Sequence, residues 1–152
     1  ALKVEEPGWN ISGIDISEEA LGVAEKNAEV NDVEIDFSKG DILQPESIGY
    51  NTPFDVIVSN PPYVLSDEKE LLEPQVRNYE PSLALFVDDM EEMYGNIIKF
   101  LENKLNTNGK LYLEVHEQHA QDILSLFDEK TWNAAIHNDY DKKPRFIVAI
   151  LQ

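Results

Sequence analysis

No cysteine occurs among the 152 residues, and that absence excludes disulfides, thiolate nucleophiles and thiolate metal sites together. Histidine is nearly as scarce, and the three present lack ligand-like spacing, so no metal site is expected. Lys and Arg total 12 against 30 Asp and Glu, a formal net charge of -18. So few cations argue against direct nucleic-acid binding, in which Lys and Arg replace the counterions of a phosphate backbone. The excess acid reads first as a solvated surface and, more sharply, as complementarity to a basic partner or basic substrate protein. There is no long apolar run and no signal-like start, so a cytoplasmic protein without membrane association is expected. The length suits one domain with a sizeable core, and no repeat, low-complexity tract or linker divides it.

What is present is organised around Asn60-Pro61-Pro62-Tyr63. The tetrapeptide follows Phe54 to Ser59, an apolar run of strand length. Proline lacks an N–H and pushes its predecessor towards extended geometry, which ends the strand and leaves a rigid cluster of acceptors. The Asn60 side-chain oxygen and the Pro61 carbonyl can each accept a hydrogen bond, with the Tyr63 ring as a flat wall beside them. Such a site suits a planar amino group with two N–H bonds to donate. The plainer alternative is a proline-rich turn after a strand.

Around this stretch strands and helices alternate. Ala1 to Val4 resembles the last turn of a helix, and Trp9 to Ile16 reads as a strand ending at Asp15. Ser17 fits an N-cap, with Glu18 and Glu19 in the first turn of a helix running to about Val30, where Asn31 ends it. Val33, Ile35 and Phe37 alternate with polar residues, as in a strand with one wet face, and lead to Gly40-Asp41-Ile42. Val56-Ile57-Val58, apolar on both faces, predicts a central parallel strand covered by helices on both sides. Leu65 to Pro81 has the length and polarity of a functional loop or lid. Met90 to Leu105 carries a long helical stripe, whose methionines read as core packing, up to the turn Asn106-Thr107-Asn108-Gly109. A strand over Leu111 to Val115, a helix over Gln118 to Phe127 and a closing antiparallel hairpin, Trp132 to His137 with Arg145 to Leu151, complete the chain. This order predicts an α/β, mostly parallel, doubly wound sheet with one reversed strand at its edge.

In such sheets ligands lie at the carboxyl ends of the strands, where Asp15, Asp41 and Asn60 all fall, and the three are expected to converge on one crevice. Asp15 suits a ribose diol; Asp41 suits an adenine amino group, with Ile42 against the ring. Taken singly, either aspartate reads first as an ordinary helix-capping or turn residue; the three together at matched positions shift the balance towards a ligand site. Glu114, His116 and His119 read as solvated surface or helix-start positions.

Asp15, Gly40-Asp41-Ile42, Asn60-Pro61-Pro62-Tyr63 and Tyr79-Glu80-Pro81 together resemble the catalytic domain of the HemK/PrmC methyltransferases. The resemblance implies a Rossmann-like class I fold dependent on S-adenosylmethionine (AdoMet). It also implies peptide-chain release factors as partners, methylated on the side-chain amide of the glutamine in a Gly-Gly-Gln motif. The cofactor positions implied are Asp15, Ile16, Asp41, Ile42 and Asn60. Catalysis is carried over to Asn60, Pro61, Pro62 and Tyr63, and substrate contact to Asn60, Pro61, Tyr63 and Glu80. Asn-Pro-Pro-Tyr is shared with amino-methyltransferases of adenine or guanine in DNA or RNA, the alternative function; Arg77 to Pro81 is the more family-specific part.

The departure is at the front, where the family carries a first strand and a Gly-x-Gly-x-Gly loop. Gly8 and Gly13 are the nearest candidates, in the wrong spacing and context. Residues 1–152 therefore read as a partial methyltransferase catalytic domain, with the first strand and Gly-rich loop missing from a place between the strands ending at Asp15 and Asn60. Two long strand edges would then lie open. An inactive fragment without the AdoMet loop is the further alternative.

Overall fold

The computed structural model describes residues 1–44, 48–50, 53–65 and 81–152, which fall into two compact units, Ala1–Asn51 and Thr52–Gln152. The first unit is a parallel strand pair with its crossover helix. A short helix α1 (Leu2–Glu5) precedes β1 (Ser12–Asp15), α2 (Glu18–Val30) and β2 (Asp36–Lys39). Ser17 caps α2 as its sequence predicts, the Oγ accepting from the Ala20 N–H at 3.2 Å, and Asn31 closes it. Both strands are shorter than the apolar alternation suggests. Val33 still donates to the Ala28 carbonyl at 3.1 Å, and Asp32 takes φ 51°, so the chain is unwinding from α2 until the ladder begins at Asp36.

In the second unit the sheet order is β3-β6-β8-β7, formed by β3 (Phe54–Ser59), β6 (Leu105–Glu114), β8 (Pro144–Leu151) and β7 (Trp132–Asn138). β3 runs parallel to β6, whereas β8 is antiparallel to both its neighbours. The chain thus ends on the expected antiparallel hairpin in a mixed α/β sheet, but the reversed strand, β8, lies between β6 and β7 and not at the sheet's edge, because β6 pairs with the second strand of the hairpin and not the first. Two-residue strands β4 (Val64–Leu65) and β5 (Phe86–Val87) form a separate parallel pair, the helix α3 (Ser82–Leu85) leading into β5.

Leu111, Leu113, Ile147 and Ala149 point to one face of the sheet and are fully buried. The stripe of α4 (Met90–Glu102) buries Met90, Met93, Tyr94, Ile97, Ile98 and Leu101, so its methionines are core residues. Asp89 caps this helix, accepting from the Glu92 N–H at 2.9 Å. α5 (Ala120–Leu124) adds Ala120 and Ile123. Trp132 closes the interior edge-on to Phe127, with ring centroids 5.6 Å apart, and donates from Nε1 to Glu102 at 3.0 Å.

Two expectations change here. β3 is the end strand of its sheet among the described residues, and Val56 and Val58 are 37% and 62% exposed. They stand beside Lys110 and Tyr112 on the outer face, while Ile57 faces inward beside Leu111. An apolar run reports that both faces tolerate apolar side chains, not that both are covered within this unit. Leu105, in phase with the α4 stripe, belongs to β6: the preceding Lys104 carbonyl accepts from the Phe54 N–H at 2.7 Å, so the chain has already joined the sheet. Asn106 to Gly109 then forms a bulge inside β6, with Asn108 at φ 66° and no room for a Cβ on Gly109, which would lie 2.7 Å from the Asn106 carbonyl.

Leu111→Ala should cost about 2–5 kcal/mol by urea unfolding, as deletions from a filled core do; Val23→Ala, on the exposed side of α2, should change stability by less than about 0.5 kcal/mol. At the β7–β8 turn, Asp139 Oδ1 accepts from the N–H groups of Lys143 and Asp141 at 3.0 and 2.9 Å. These bonds, that of Lys143 foremost, together with Arg145, hold its carboxyl below the usual aspartate range. A depressed carboxyl stabilises the fold above its unfolded pKa and loses that contribution as pH falls through the folded one. The melting-temperature gap between the native protein and Asp139→Ala should therefore be constant above about pH 4 and shrink below it.

Candidate active site

Ser59 is the last residue of β3 paired to β6, opposite Leu113. Asn60-Pro61-Pro62 then leaves the sheet, because neither proline can donate to a ladder, and Tyr63 hands the chain to β4. Pro61 is buried and Asn60 exposed, with Pro62 and Tyr63 half-buried. A buried proline ring thus anchors a backbone from which the Asn60 amide faces outward.

Tyr63 reaches back to the sheet. Its hydroxyl donates to Glu114 Oε1 over a long 3.3 Å, and its ring centroid lies 6.0 Å from that of His116, tilted by 52°. Glu114 is the last residue of β6, the parallel neighbour of β3, so it occupies the same end of the sheet as Asn60. Its carbonyl accepts from the Tyr94 hydroxyl at 3.0 Å. Burial, then the neighbouring Tyr63 and Glu114, push the Tyr94 hydroxyl well above the ordinary tyrosine range, so it remains a donor. Glu114 is therefore not the solvated surface residue its sequence context suggests; it is half-buried and bonded to the tetrapeptide. Its signal lay in its place at the carboxyl end of a strand whose Leu111 and Leu113 point inward. His119 sits at the start of α5, as expected, with its ring 5.5 Å from His116.

In the first unit Asp15 and Asp41 stand at adjacent strand ends, the Gly40 N–H donating to the Asp15 carbonyl at 3.1 Å. A Cβ on Gly40 would lie 2.9 Å from Ile14 and Ile48, so only glycine lets β2 finish this close to them. Both carboxylates organise local backbone. Asp15 Oδ1 accepts from the Ser17 N–H at 2.8 Å; Asp41 accepts from the Leu43 N–H at 2.9 Å and from Gln44 Nε2 at 3.2 Å. Each carboxylate oxygen accepts more than one bond, so turn and ligand roles are compatible. Ile16 and Asp41, with Lys39, Gly40 and Gln44, line a cleft of about 230 Å³; Asp15 and Ile42 do not line it. A larger hollow of about 650 Å³ lies at the opposite, amino end of these strands, around Ser12 and Asp36, and holds none of the expected site residues. Gly13 stands opposite Phe37, whose ring would be 2.8 Å from an added Cβ, so its missing side chain serves strand packing.

Arg77, Tyr79 and Glu80, with most of the lid-like segment, lie outside the described residues. Among the described residues no group of His, Asp and Glu could hold a metal ion, and no helix is long and apolar enough to cross a membrane.

Comparison with known proteins places this geometry in a family. A profile described as a methyltransferase domain matches residues 1–143. The chain is 38% identical over 144 residues to the release factor glutamine methyltransferase of Flavobacterium psychrophilum, covering 93% of this chain and 50% of that protein. It is likewise 38% identical over 142 residues to the release factor glutamine methyltransferase of Lactococcus lactis, covering 91% and 51%. The chain therefore spans about half the length of these curated relatives. Among solved structures, TrmN from Thermus thermophilus superposes with a TM-score of 0.68 at 16% identity, covering 100% of this chain and 39% of that one. A methyltransferase from Pyrococcus furiosus gives 0.67 at 18%, covering 99% and 66%. A Streptococcus mutans protein solved in complex with SAH gives 0.63 at 12%, covering 94% and 76%. At such identities the structural likeness is one of fold. The profile spans all but the last nine residues and the fold is that of Rossmann-like methyltransferases, so the chain belongs to the methyltransferase domain family.

Proposed function

We propose that residues 1–152 are part of the catalytic domain of an AdoMet-dependent enzyme that methylates the side-chain amide of the glutamine in the Gly-Gly-Gln motif of peptide-chain release factors. The observation that carries this reading is the tetrapeptide Asn60-Pro61-Pro62-Tyr63, held rigid at the carboxyl end of β3 with Asn60 exposed. The relatives named release factor glutamine methyltransferase support the substrate class. A cytoplasmic location follows from that substrate.

The nucleoside half of AdoMet fits the first unit. Ile16 gives the cleft an apolar wall and Asp41 a carboxylate, matching a purine ring with an amino group to donate. Asp15, at the next strand end, offers the acceptor that a ribose diol needs. When bound, AdoMet supplies a methyl group on a positively charged sulfur.

The chain's own residues then have to present an amide nitrogen, a poor nucleophile because its lone pair is delocalised into the carbonyl. Asn60 Oδ1 and the Pro61 carbonyl accept its two N–H bonds and turn the lone pair outward. Positioning of this kind supplies much of the rate. Positive charge developing on nitrogen meets carbonyl dipoles already aimed at it, and the methylated nitrogen, now strongly acidic, gives one proton to water, so no strong base is required. The Tyr63 ring flanks the amide plane.

Incubation of the full-length protein containing this chain with release factor and AdoMet should add the mass of one methyl group to the Gly-Gly-Gln peptide; an unmodified peptide overturns the reading. Asn60→Ala should lower kcat by about 10²–10³-fold, the order lost with one preorganised hydrogen-bond partner. By calorimetry, Asp15→Ala should weaken AdoMet binding about tenfold or more, as expected for a hydrogen bond to a charged group.

A further inference from the structure

We infer that Glu114 is a positioning residue that sets the orientation of the Tyr63 ring beside Asn60 and Pro61; its catalytic consequence rests on the function proposed above. The Glu114 backbone is pinned from three directions. It pairs with Phe146 across the sheet, its carbonyl accepts from the fully buried Tyr94 at 3.0 Å, and the next residue, the buried Val115, donates to the Arg145 carbonyl at 2.9 Å. Its carboxylate is thus delivered from a fixed strand end. Tyr63, by contrast, lies between a proline pair and the two-residue strand β4, with little regular structure of its own to orient its ring.

The contact has a fixed polarity. A carboxylate only accepts, so the Tyr63 hydroxyl is the donor. His116 bounds the ring from another side, and its own ring is held by the Gln118 N–H, which donates to Nδ1 at 3.2 Å. The 3.3 Å separation is long for an O–H···O bond. Contacts of this kind at active sites commonly shorten when substrate is bound. Loss of the carboxylate would leave the ring a wider range of orientations, and the slot for the acceptor amide would lose its fixed width. A residue acting in this way touches neither donor nor acceptor and works only through Tyr63.

The test uses the full-length protein with Glu114→Gln, Glu114→Ala, Tyr63→Phe and the Tyr63→Phe/Glu114→Ala double variant. Glu114→Ala should lower kcat for release-factor methylation about tenfold with a smaller change in KM, and Glu114→Gln, which keeps an acceptor, should recover most of it. The double variant should be no slower than the slower single variant; multiplied losses would mean that Glu114 acts independently of Tyr63 and would overturn the inference. Glu129→Gln, exposed in the link before β7, should leave kcat unchanged. A second readout needs no reaction: the ring ¹³Cζ resonance of Tyr63 should shift in Glu114→Gln and Glu114→Ala, and an unmoved resonance also overturns the inference. If the native protein leaves release factor unmodified, the proposed function falls, while that resonance still decides whether Glu114 holds the ring. Should Glu114→Ala fail to fold, Glu114→Gln carries the resonance readout and Glu114→Leu, which fills the space without an acceptor, takes its place in the kinetic cycle with Tyr63→Phe.

Discussion

The parallel pairing of β3 with β6 governs the chemistry available to the second unit. Ser59 opposite Leu113 makes both strands finish at one level, so Asn60 leaves the sheet beside Glu114. Leu111 and Leu113 are fully buried, and Tyr94 secures the strand end from α4. The hydrophobic interior therefore holds two polar groups in place at its rim. A rigid acceptor pair is useful only if its neighbours are equally rigid, since positional error of an ångström is enough to spoil alignment for transfer.

The first unit solves a related problem with less material. Its strands are four residues each, and among its described residues Ile48 is the only hydrophobic side chain that is buried. Order at the strand ends comes from polar contacts: Asp15 onto Ser17, Asp41 onto Leu43 and Gln44, Ser17 onto Ala20. The carboxylates proposed to meet a nucleoside are also those that shape the turns presenting them. Removing one changes both the ligand's partner and the frame, which is why binding and stability need separate measurement at these positions.

Features dictated by local chemistry were legible in the sequence. Two prolines stop a strand wherever they fall, Ser17 and Asn31 bound α2, and a short polar link between two apolar runs forms the closing hairpin. Features dictated by pairing were not. Tyr63 and Glu114 are 51 residues apart, and nothing in either neighbourhood reports that β3 and β6 lie side by side. Leu105 keeps the helical period yet serves a strand, because a backbone bond from Phe54 to Lys104 outweighs one more turn of helix. Val56 and Val58 are apolar but exposed within their unit, since hydropathy records what a face tolerates rather than what covers it.

The bulge at Asn106 to Gly109 works as a gauge block at the far end of the sheet from the site. Before it Phe54 faces Leu105, an offset of 51 residues; after it Val56 faces Lys110, an offset of 54. The three extra residues move the partner of β3 along by about 10 Å at the usual rise of a parallel strand. Because the number is odd, they also exchange its inner and outer faces. The bulge thereby decides that Leu113, and not a residue three places away, stands opposite Ser59, with Glu114 next at the end of β6. Insertions or deletions there would be read at the opposite end of the sheet as a change in which side chain meets Tyr63.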